Sequence, residues 1–221
     1  MKEKFALILD MDGVVVDNGE FHRKAWESFC SKYGLLERFR HGALFGKTNR
    51  DYLTTLFDRE MTDAEVEKYA GEKEALYREL YRPHIRPMPG LIPFLEKAVR
   101  EEMLIALATS GPRSNVDFVM DELGIRHLFN LAVDDSMVSR GKPHPDVFLK
   151  TASLLEISPY RCAVIEDSVH GLEASVNAGM LPIALNHPDP GEVKQLAVLA
   201  VPDFTFLDPS VIKKMILNHR P

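Results

Sequence analysis

The stretch FALILDMDG, Phe5 to Gly13, is the most informative part of the sequence for the fold. Its first five residues, Phe5–Leu9, are an unbroken apolar run, which is typical of a strand buried on both faces of a parallel sheet. Asp10 and Asp12 follow directly. Ligands bind beyond the carboxyl ends of the strands in such sheets, so this carboxylate pair predicts a functional site more strongly than a solvated turn.

Short apolar runs of the same kind recur along the chain, and helical patterns separate most of them. They predict further strands at Leu104–Ala108, Leu131–Val133, Cys162–Ile165 and Pro182–Leu185. A strand, helix, strand rhythm implies right-handed parallel crossovers. The sequence therefore predicts an α/β fold with a doubly wound, Rossmann-like parallel sheet.

The segment from residue 17 to residue 87 differs from the rest of the chain in its predicted secondary structure and its charge balance. Its residue pattern predicts helices and no strands. It carries 13 Lys and Arg against 13 Asp and Glu, so the net charge of −6 lies in the rest of the chain. Thr62 and Glu65 have capping-box spacing ahead of a long helix. We predict an all-helical domain at 17–87, inserted into an α/β domain formed by 1–16 and 88–221 and joined to it through residues 14–20 and 83–90.

Composition excludes several classes of protein. The 221 residues are 45% hydrophobic, enough for a sizeable core, and the negative net charge argues against a nucleic-acid partner. No apolar run approaches the ~20 residues of a membrane span, and Asp10 and Asp12 interrupt the first run too early for a signal peptide. The two cysteines, Cys30 and Cys162, fit no disulfide or zinc pattern. We expect a cytoplasmic protein that needs no membrane, and the length fits a monomer.

Polar residues follow four of the predicted strands. They are Asp10 and Asp12, then Thr109, Ser110 and Gly111, then Lys142, and finally Glu166 and Asp167 before Ser168. If the sheet forms, these groups converge, and four clustered carboxylates require a compensating cation. Oxygen ligands favour Mg²⁺, while a lysine and a hydroxyl would hold an anion. A transferring phosphoryl group needs this combination of nucleophile, metal and cation.

Taken in order, these groups resemble the four motifs of the haloacid dehalogenase-like hydrolase superfamily, and the helical insertion resembles its C1-type cap domain. The β-phosphoglucomutase-like and small-molecule phosphatase group is the most similar part of that superfamily. The resemblance implies that Asp10 is the nucleophile and Asp12 the general acid and base. It also implies phosphoryl contacts from Thr109, Lys142 and Ser110. The implied Mg²⁺ ligands are the Asp10 carboxylate, the Asp12 backbone carbonyl and Asp167, with Glu166 acting directly or through a water.

The other candidate substrate contacts are less specific. His22 lies near the hinge, one residue off the apolar stripe that makes Trp26 a core residue. Gly46 to Arg50 resembles the cap substrate loop of the group, so Lys47 or Arg50 would meet the substrate unless they are solvated surface charges. The remaining candidates are Lys73, which resembles a cap lysine facing the site but also fits an exposed helix position, Gly111 in the second motif, and Arg113, which could reach a substrate anion.

Departures from the mutase pattern favour hydrolysis over isomerisation. Asn49 falls where the mutase cap loop has a phosphate-binding arginine. Arg50 is the next residue, and one residue on a helix is a rotation of ~100°, so Arg50 need not take the place of that arginine. Pro112-Arg113 replaces a Lys-Asn pair. The leading hypothesis is a Mg²⁺-dependent phosphatase acting on a small phosphorylated metabolite such as a sugar phosphate. The alternatives are a phosphohexomutase, a dehalogenase, which would gain nothing from Asp12, and a catalytically silent binding or regulatory protein.

Overall fold

A computed structural model describes residues 3–39, 48–187 and 189–219. Its strands form one six-stranded sheet in the order β3-β2-β1-β4-β5-β6, and every neighbouring pair is parallel. The predicted fold class is therefore confirmed, with the addition of an edge strand, β6, that the sequence did not predict. The strands are β1 (Ala6–Leu9), β2 (Leu104–Ala108), β3 (Leu131–Val133), β4 (Cys162–Glu166), β5 (Leu181–Leu185) and β6 (Leu199–Val201).

The helices of the described residues fall into two groups. Those of the insertion are α1 (Gly19–Tyr33), α2 (Asn49–Phe57) and α3 (Asp63–Tyr81). Those that flank the sheet are α4 (Leu91–Arg100), α5 (Arg113–Glu122), α6 (Asp146–Leu154), α7 (Val169–Asn177), α8 (Pro190–Val193) and α9 (Pro209–Asn218). The Thr62–Glu65 capping box begins α3 as predicted, and Ser168 caps α7 by accepting a hydrogen bond from the Gly171 amide. No described helix is both long and apolar enough to span a lipid bilayer.

The first strand separates two hydrophobic clusters. Leu7 and Leu9 face one cluster, while Ala6 and Ile8 face the other, and all four are fully buried. This arrangement explains the unbroken apolar run, because successive side chains of a strand point to opposite faces and here both faces are covered by helices. The sheet therefore holds the end of β1, and with it Asp10, rigidly in the centre of the molecule.

The insertion has a hydrophobic cluster of its own and rests on the sheet domain. Trp26, Phe29, Tyr52 and Leu56 are among the residues buried between its helices. The two connecting segments run side by side, since Val16 forms an antiparallel bridge with Pro87 and the Met88 amide donates to the Val15 carbonyl at 2.9 Å.

The long helix α3 also leans against α5. The Arg78 guanidinium on α3 donates to the Asn115 side-chain oxygen at 2.8 Å and to Ser114 Oγ at 3.0 Å. Beside these bonds, the rings of Tyr77 and Phe118 meet edge to face. These contacts hold the insertion over the carboxyl ends of the strands.

Candidate active site

A cavity of about 420 Å³ lies between the insertion and the carboxyl ends of the strands. It brings together residues from opposite ends of the sequence, because β1 and β4 are neighbours in the sheet. Most of the predicted site residues line it: Asp10, Asp12, His22, Lys73, Thr109, Ser110, Gly111, Lys142, Glu166 and Asp167.

Lys142 is the buried cation of this site. Its Nζ donates to Asp10 Oδ1 at 2.6 Å and also to Glu166 Oε1, and all three residues are at least nine-tenths buried. Burial disfavours the ammonium, but the charges of Asp10 and Glu166 outweigh that effect and raise the pKa of Lys142. The lysine therefore carries a permanent positive charge between two carboxylates.

Asp10, Glu166 and Asp167 form a cluster that could hold a metal ion. Each offers a carboxylate oxygen, and these atoms all lie within 4.8 Å of one another. Burial and the nearby carboxylates raise the pKa of Asp10 to about 7, despite Lys142, and raise the pKa of Asp167 well above its ordinary value. Burial is the largest cause of both shifts, and repulsion from the neighbouring carboxylates adds to it. An oxygen-only ligand set with excess negative charge suits a hard divalent cation.

Two glycines allow the acids to pack this closely. Gly13 has φ of +81°, and a Cβ at this position would lie 2.0 Å from Asp167 Oδ2. A Cβ at Gly171, in the first turn of α7, would lie 1.9 Å from the Glu166 carboxylate. Any larger side chain would displace one of the two acids, so the backbone here is shaped around them.

Glu166 is held by groups other than a metal. Its Oε2 accepts hydrogen bonds from the Ser168 amide at 2.9 Å and from Ser168 Oγ at 3.0 Å, while Oε1 accepts from Lys142. Its side chain is 1% exposed. This arrangement suits a residue that positions Lys142 and the start of α7.

Asp12 has a different environment from Asp10. The Asn18 side-chain amide donates to Asp12 Oδ1 at 2.6 Å, and His22 Nε2 lies 3.7 Å from Oδ2. Burial opposes ionisation, but His22, Asn18 and Lys73 outweigh it and hold the pKa of Asp12 below its ordinary value. Two carboxylates separated by one residue thus have pKa values pushed in opposite directions, which is the pattern expected when they divide chemical roles.

His22 is oriented by Lys73. Lys73 Nζ lies 3.1 Å from His22 Nδ1, and the His22 ring stacks on Tyr77 with a centroid distance of 3.8 Å. An ammonium group only donates hydrogen bonds, so Nδ1 is the acceptor and the network assigns the ring proton to Nε2, which faces Asp12. Lys73 is 2% exposed and faces the cavity, so it is not an exposed helix lysine.

The loop after β2 supplies polar groups opposite the acids. Thr109 is 1% exposed, and its Oγ1 accepts a hydrogen bond from the Gly111 amide at 3.0 Å. Its hydroxyl proton therefore points elsewhere and can serve a ligand in the cavity, which Thr109, Ser110 and Gly111 all line.

Two other predicted contacts lie away from the cavity. Arg50 bonds the Met61 carbonyl and Asp63, because it is one helical step past Asn49, which does line the cavity. Arg113 begins α5 and pairs with Asp117 on the next turn. Lys47 and Gly46 lie outside the described residues.

Other cavity residues were not singled out from the sequence. Asn18 holds Asp12, and Glu74 accepts from Lys73 at 2.6 Å. Asn186 lines the cavity and donates to the Gly13 carbonyl at 3.3 Å. Asn186 directly follows β5, so the rule that located the other polar groups would also have found it. Asn18 and Glu74 are positioned by the insertion, and sequence spacing gave no signal for them.

The fold and the acid, lysine and hydroxyl set define the class to which this chain belongs. The sequence profile described as haloacid dehalogenase-like hydrolase matches residues 7–185. The chain is a member of the haloacid dehalogenase-like hydrolase family.

Named relatives include both mutases and phosphatases. The chain is 30% identical over 209 residues to a β-phosphoglucomutase of Bacillus subtilis, covering 90% of this chain and 91% of the relative. It is also 30% identical over 182 residues to the fructose-1-phosphate phosphatase YqaB of Escherichia coli, covering 81% and 96%. The crystal structure of a β-phosphoglucomutase from Clostridium difficile superposes with a TM-score of 0.86 at 25% identity, covering 98% of this chain and 99% of the other.

Proposed function

We propose that this protein is a Mg²⁺-dependent phosphatase that hydrolyses a small phosphorylated metabolite, a sugar phosphate above all, through an aspartyl-phosphate on Asp10. The observation that carries the proposal is the buried cluster of Asp10, Lys142, Glu166 and Asp167, in which one lysine and one cation site face a central carboxylate. The two relatives at 30% identity, one a phosphatase and one a phosphomutase, support this class of substrate.

The metal site would be formed by Asp10 and Asp167, with Glu166 in the same acid cluster. When bound, Mg²⁺ would neutralise charge on the phosphoryl oxygens and on Asp10, allowing a dianionic ester to approach a carboxylate. Lys142 would supply a second positive charge beside the same oxygens. Thr109 and the amides of its loop would orient the phosphoryl group in line with Asp10.

In the first step, an Asp10 carboxylate oxygen attacks phosphorus, and the bond from phosphorus to the ester oxygen breaks. Asp12 gives a proton to that departing oxygen, which leaves as an alcohol. In the second step, a water oxygen attacks the phosphorus of the aspartyl-phosphate, Asp12 takes the proton, and Asp10 is released as a carboxylate with inorganic phosphate.

Asp12 must be protonated for the first step, although its pKa is lowered in the ligand-free protein. A phosphoryl dianion in the cavity would raise that pKa, because a nearby like charge disfavours the carboxylate. His22, with a ring proton facing Asp12, is placed to orient it in both steps.

The test is phosphate release from p-nitrophenyl phosphate and a panel of sugar phosphates and nucleotides, with and without Mg²⁺. We expect Mg²⁺-dependent release by the wild-type protein and none by Asp10→Asn, which keeps the shape of the side chain. Thermal unfolding establishes that the variant is folded. Undiminished turnover by Asp10→Asn would remove the nucleophile assignment, and no turnover of any ester by the wild-type protein would refute the function.

A phosphohexomutase is the second candidate, favoured by the 30% identity to the Bacillus subtilis enzyme over 90% of this chain. Incubation with β-glucose 1-phosphate and a bisphosphate activator distinguishes the two. Formation of glucose 6-phosphate faster than free phosphate would identify a mutase. We expect free phosphate to form faster. The two free, buried thiols, Cys30 and Cys162, fit the cytoplasmic location that we propose for either enzyme.

A further inference from the structure

One side of the cavity is a wall of four polar side chains contributed by both domains. Asn49 on α2, Lys73 and Glu74 on α3, and Asn115 on α5 all line the cavity, and we call them the polar wall. His22 connects this wall to Asp12, since it lies 3.1 Å from Lys73 Nζ through one ring nitrogen and 3.7 Å from Asp12 through the other. The wall thus lies beyond the reacting groups, where the part of a substrate remote from its phosphate would extend.

Glu74 is the centre of the polar wall. Its Oε1 accepts from Lys73 Nζ at 2.6 Å and from the Asn49 amide at 2.8 Å, and its Oε2 accepts from the Asn115 amide at 2.7 Å. Glu74 is 4% exposed and Lys73 is 2% exposed. The two charges therefore cancel in a buried ion pair, and the wall presents a neutral, hydrogen-bonding surface.

The other cations that the described part of the chain contributes to the cavity are also paired. Among the lining residues that the structure describes, seven carboxylates face three lysines and arginines, and the latter are Arg23, Lys73 and Lys142. Arg23 bonds Glu27, and Lys142 bonds Asp10 and Glu166. The transferring phosphoryl group would use Lys142 and the metal. A second phosphate on the same substrate would then be desolvated next to Glu74, with no unpaired cation available to it among the described lining residues.

Hydroxyl groups suit this wall far better than an anion. A hydroxyl both donates and accepts hydrogen bonds, so it can donate to the Glu74 carboxylate or accept from Lys73. The Lys73 ammonium has three protons and uses two of them on Glu74 and His22, which leaves one for a ligand. The rings of Trp26 and Tyr52, which also line the cavity, add apolar surface for the carbon skeleton.

We infer that the polar wall selects phosphomonoesters whose remote end is an uncharged polyol and rejects substrates that carry a second phosphate. The inference rests on the proposed phosphatase function and narrows its substrate class. Glu74 would be the specificity-determining residue, since it cancels the charge of the one cation in the wall.

The experiment compares substrates that differ only in the second phosphate. Glucitol 6-phosphate with glucitol 1,6-bisphosphate gives an open-chain pair, and glucose 1-phosphate with glucose 1,6-bisphosphate gives a cyclic pair. We expect kcat/KM for the bisphosphate to be at least about 100-fold lower in each pair that is hydrolysed. p-Nitrophenyl phosphate, which has neither hydroxyl nor second phosphate, reports the phosphatase chemistry itself.

Two variants test the role of the wall. Glu74→Gln removes the counter-charge of Lys73, and Asn49→Arg adds a cation on the better exposed side of the wall. Each should raise the bisphosphate to monophosphate ratio of kcat/KM at least tenfold. The matched control is Glu72→Gln on the same helix, because Glu72 bonds Lys32 and Tyr33 on the surface and does not line the cavity. Its ratio should equal that of the wild-type protein.

The outcomes separate this inference from the proposed function. If p-nitrophenyl phosphate is hydrolysed with Mg²⁺ but the bisphosphates are used as well as the monophosphates, the inference is overturned while the phosphatase remains. An unchanged ratio in both Glu74→Gln and Asn49→Arg would overturn it equally. If p-nitrophenyl phosphate and all the sugar phosphates are left intact, the proposed function has failed and the inference fails with it.

Discussion

Replacing Gly13 with alanine is a direct test of how the acid cluster is built. The new Cβ would lie 2.0 Å from Asp167 Oδ2 and 2.5 Å from Asp167 Cγ. Ordinary contacts between such atoms are well above 3 Å, so the carboxylate has to retreat by more than about 1 Å. Asp167 would help to hold the metal beside the reacting atoms, and a misplacement of about 1 Å in such a site costs about 100-fold in rate. We therefore expect kcat/KM of Gly13→Ala to fall about 100-fold. We also expect its affinity for Mg²⁺ to be weaker, so that high Mg²⁺ concentrations partly restore the activity.

A second alanine variant separates this effect from backbone strain. Gly13 has φ of +81° and Gly124 has φ of +65°, but nothing lies within 4 Å of a Cβ built on Gly124. Both variants carry the left-handed penalty of roughly 1–2 kcal/mol, so both should unfold at a lower temperature. Only Gly13→Ala should lose activity.

The assay is phosphate release from p-nitrophenyl phosphate across a Mg²⁺ titration, with thermal unfolding of each variant in parallel. If Gly13→Ala and Gly124→Ala have the same kcat/KM and the same Mg²⁺ dependence, Asp167 does not depend on the space at Gly13 and the reasoning about the acid cluster is wrong.

Three further predictions concern the buried charges and the contact between the domains. Lys142→Met should lower kcat by about 10²–10³-fold. It should also destabilise the fold by about 3–5 kcal/mol, because it leaves a buried carboxylate without its counter-charge. The loss should be larger at pH 8 than at pH 5, since the pKa of Asp10 is raised to about 7 and Asp10 is ionised at the higher pH; denaturant titrations at both pH values check this. Mg²⁺ binding should release more protons at pH 6 than at pH 9, because the pKa of Asp10 is raised to about 7. Calorimetry in buffers of different ionisation enthalpy measures the number of protons released. Equal release at both pH values would contradict this prediction. Arg78→Ala should raise KM severalfold with little change in kcat, because the substitution removes hydrogen bonds to Ser114 and Asn115 that hold the insertion over the cavity. Steady-state kinetics measures both constants, and an unchanged KM would refute the prediction.

The sheet could be predicted because β1 is covered on both faces. Full burial leaves no polar position between Phe5 and Leu9, and the same logic located the other central strands, β2, β4 and β5. The edge strand β6 (Leu199–Val201) was missed, although it has the same three residues, Leu-Ala-Val, as β3 at the opposite edge, which was predicted. Its residues are partly buried or exposed, and an apolar run this short does not by itself distinguish a strand from a helix.

Most of the candidate site could be anticipated where a residue ends or directly follows a strand, and Asn186 after β5 is the exception. Asp10, Thr109 and Glu166 are positioned by the sheet, whose register follows from the strand pattern. The residues of the insertion depend on how α1 and α3 pack over the sheet, and no local pattern encodes that packing. Lys73 illustrates the limit, because an exposed position and a buried one facing His22 differ only in the rotation of α3.

The most direct measurement of the central claim is the position of the phosphoryl group during turnover. Protein mixed with substrate and Mg²⁺ is quenched in acid within one turnover, digested and analysed by mass spectrometry. We predict one phosphoryl group on the peptide that contains Asp10, lost when Mg²⁺ is chelated and missing in Asp10→Asn. Rapid phosphate release with an unmodified Asp10 peptide at every quench time, or a phosphoryl group on another residue, would contradict the account.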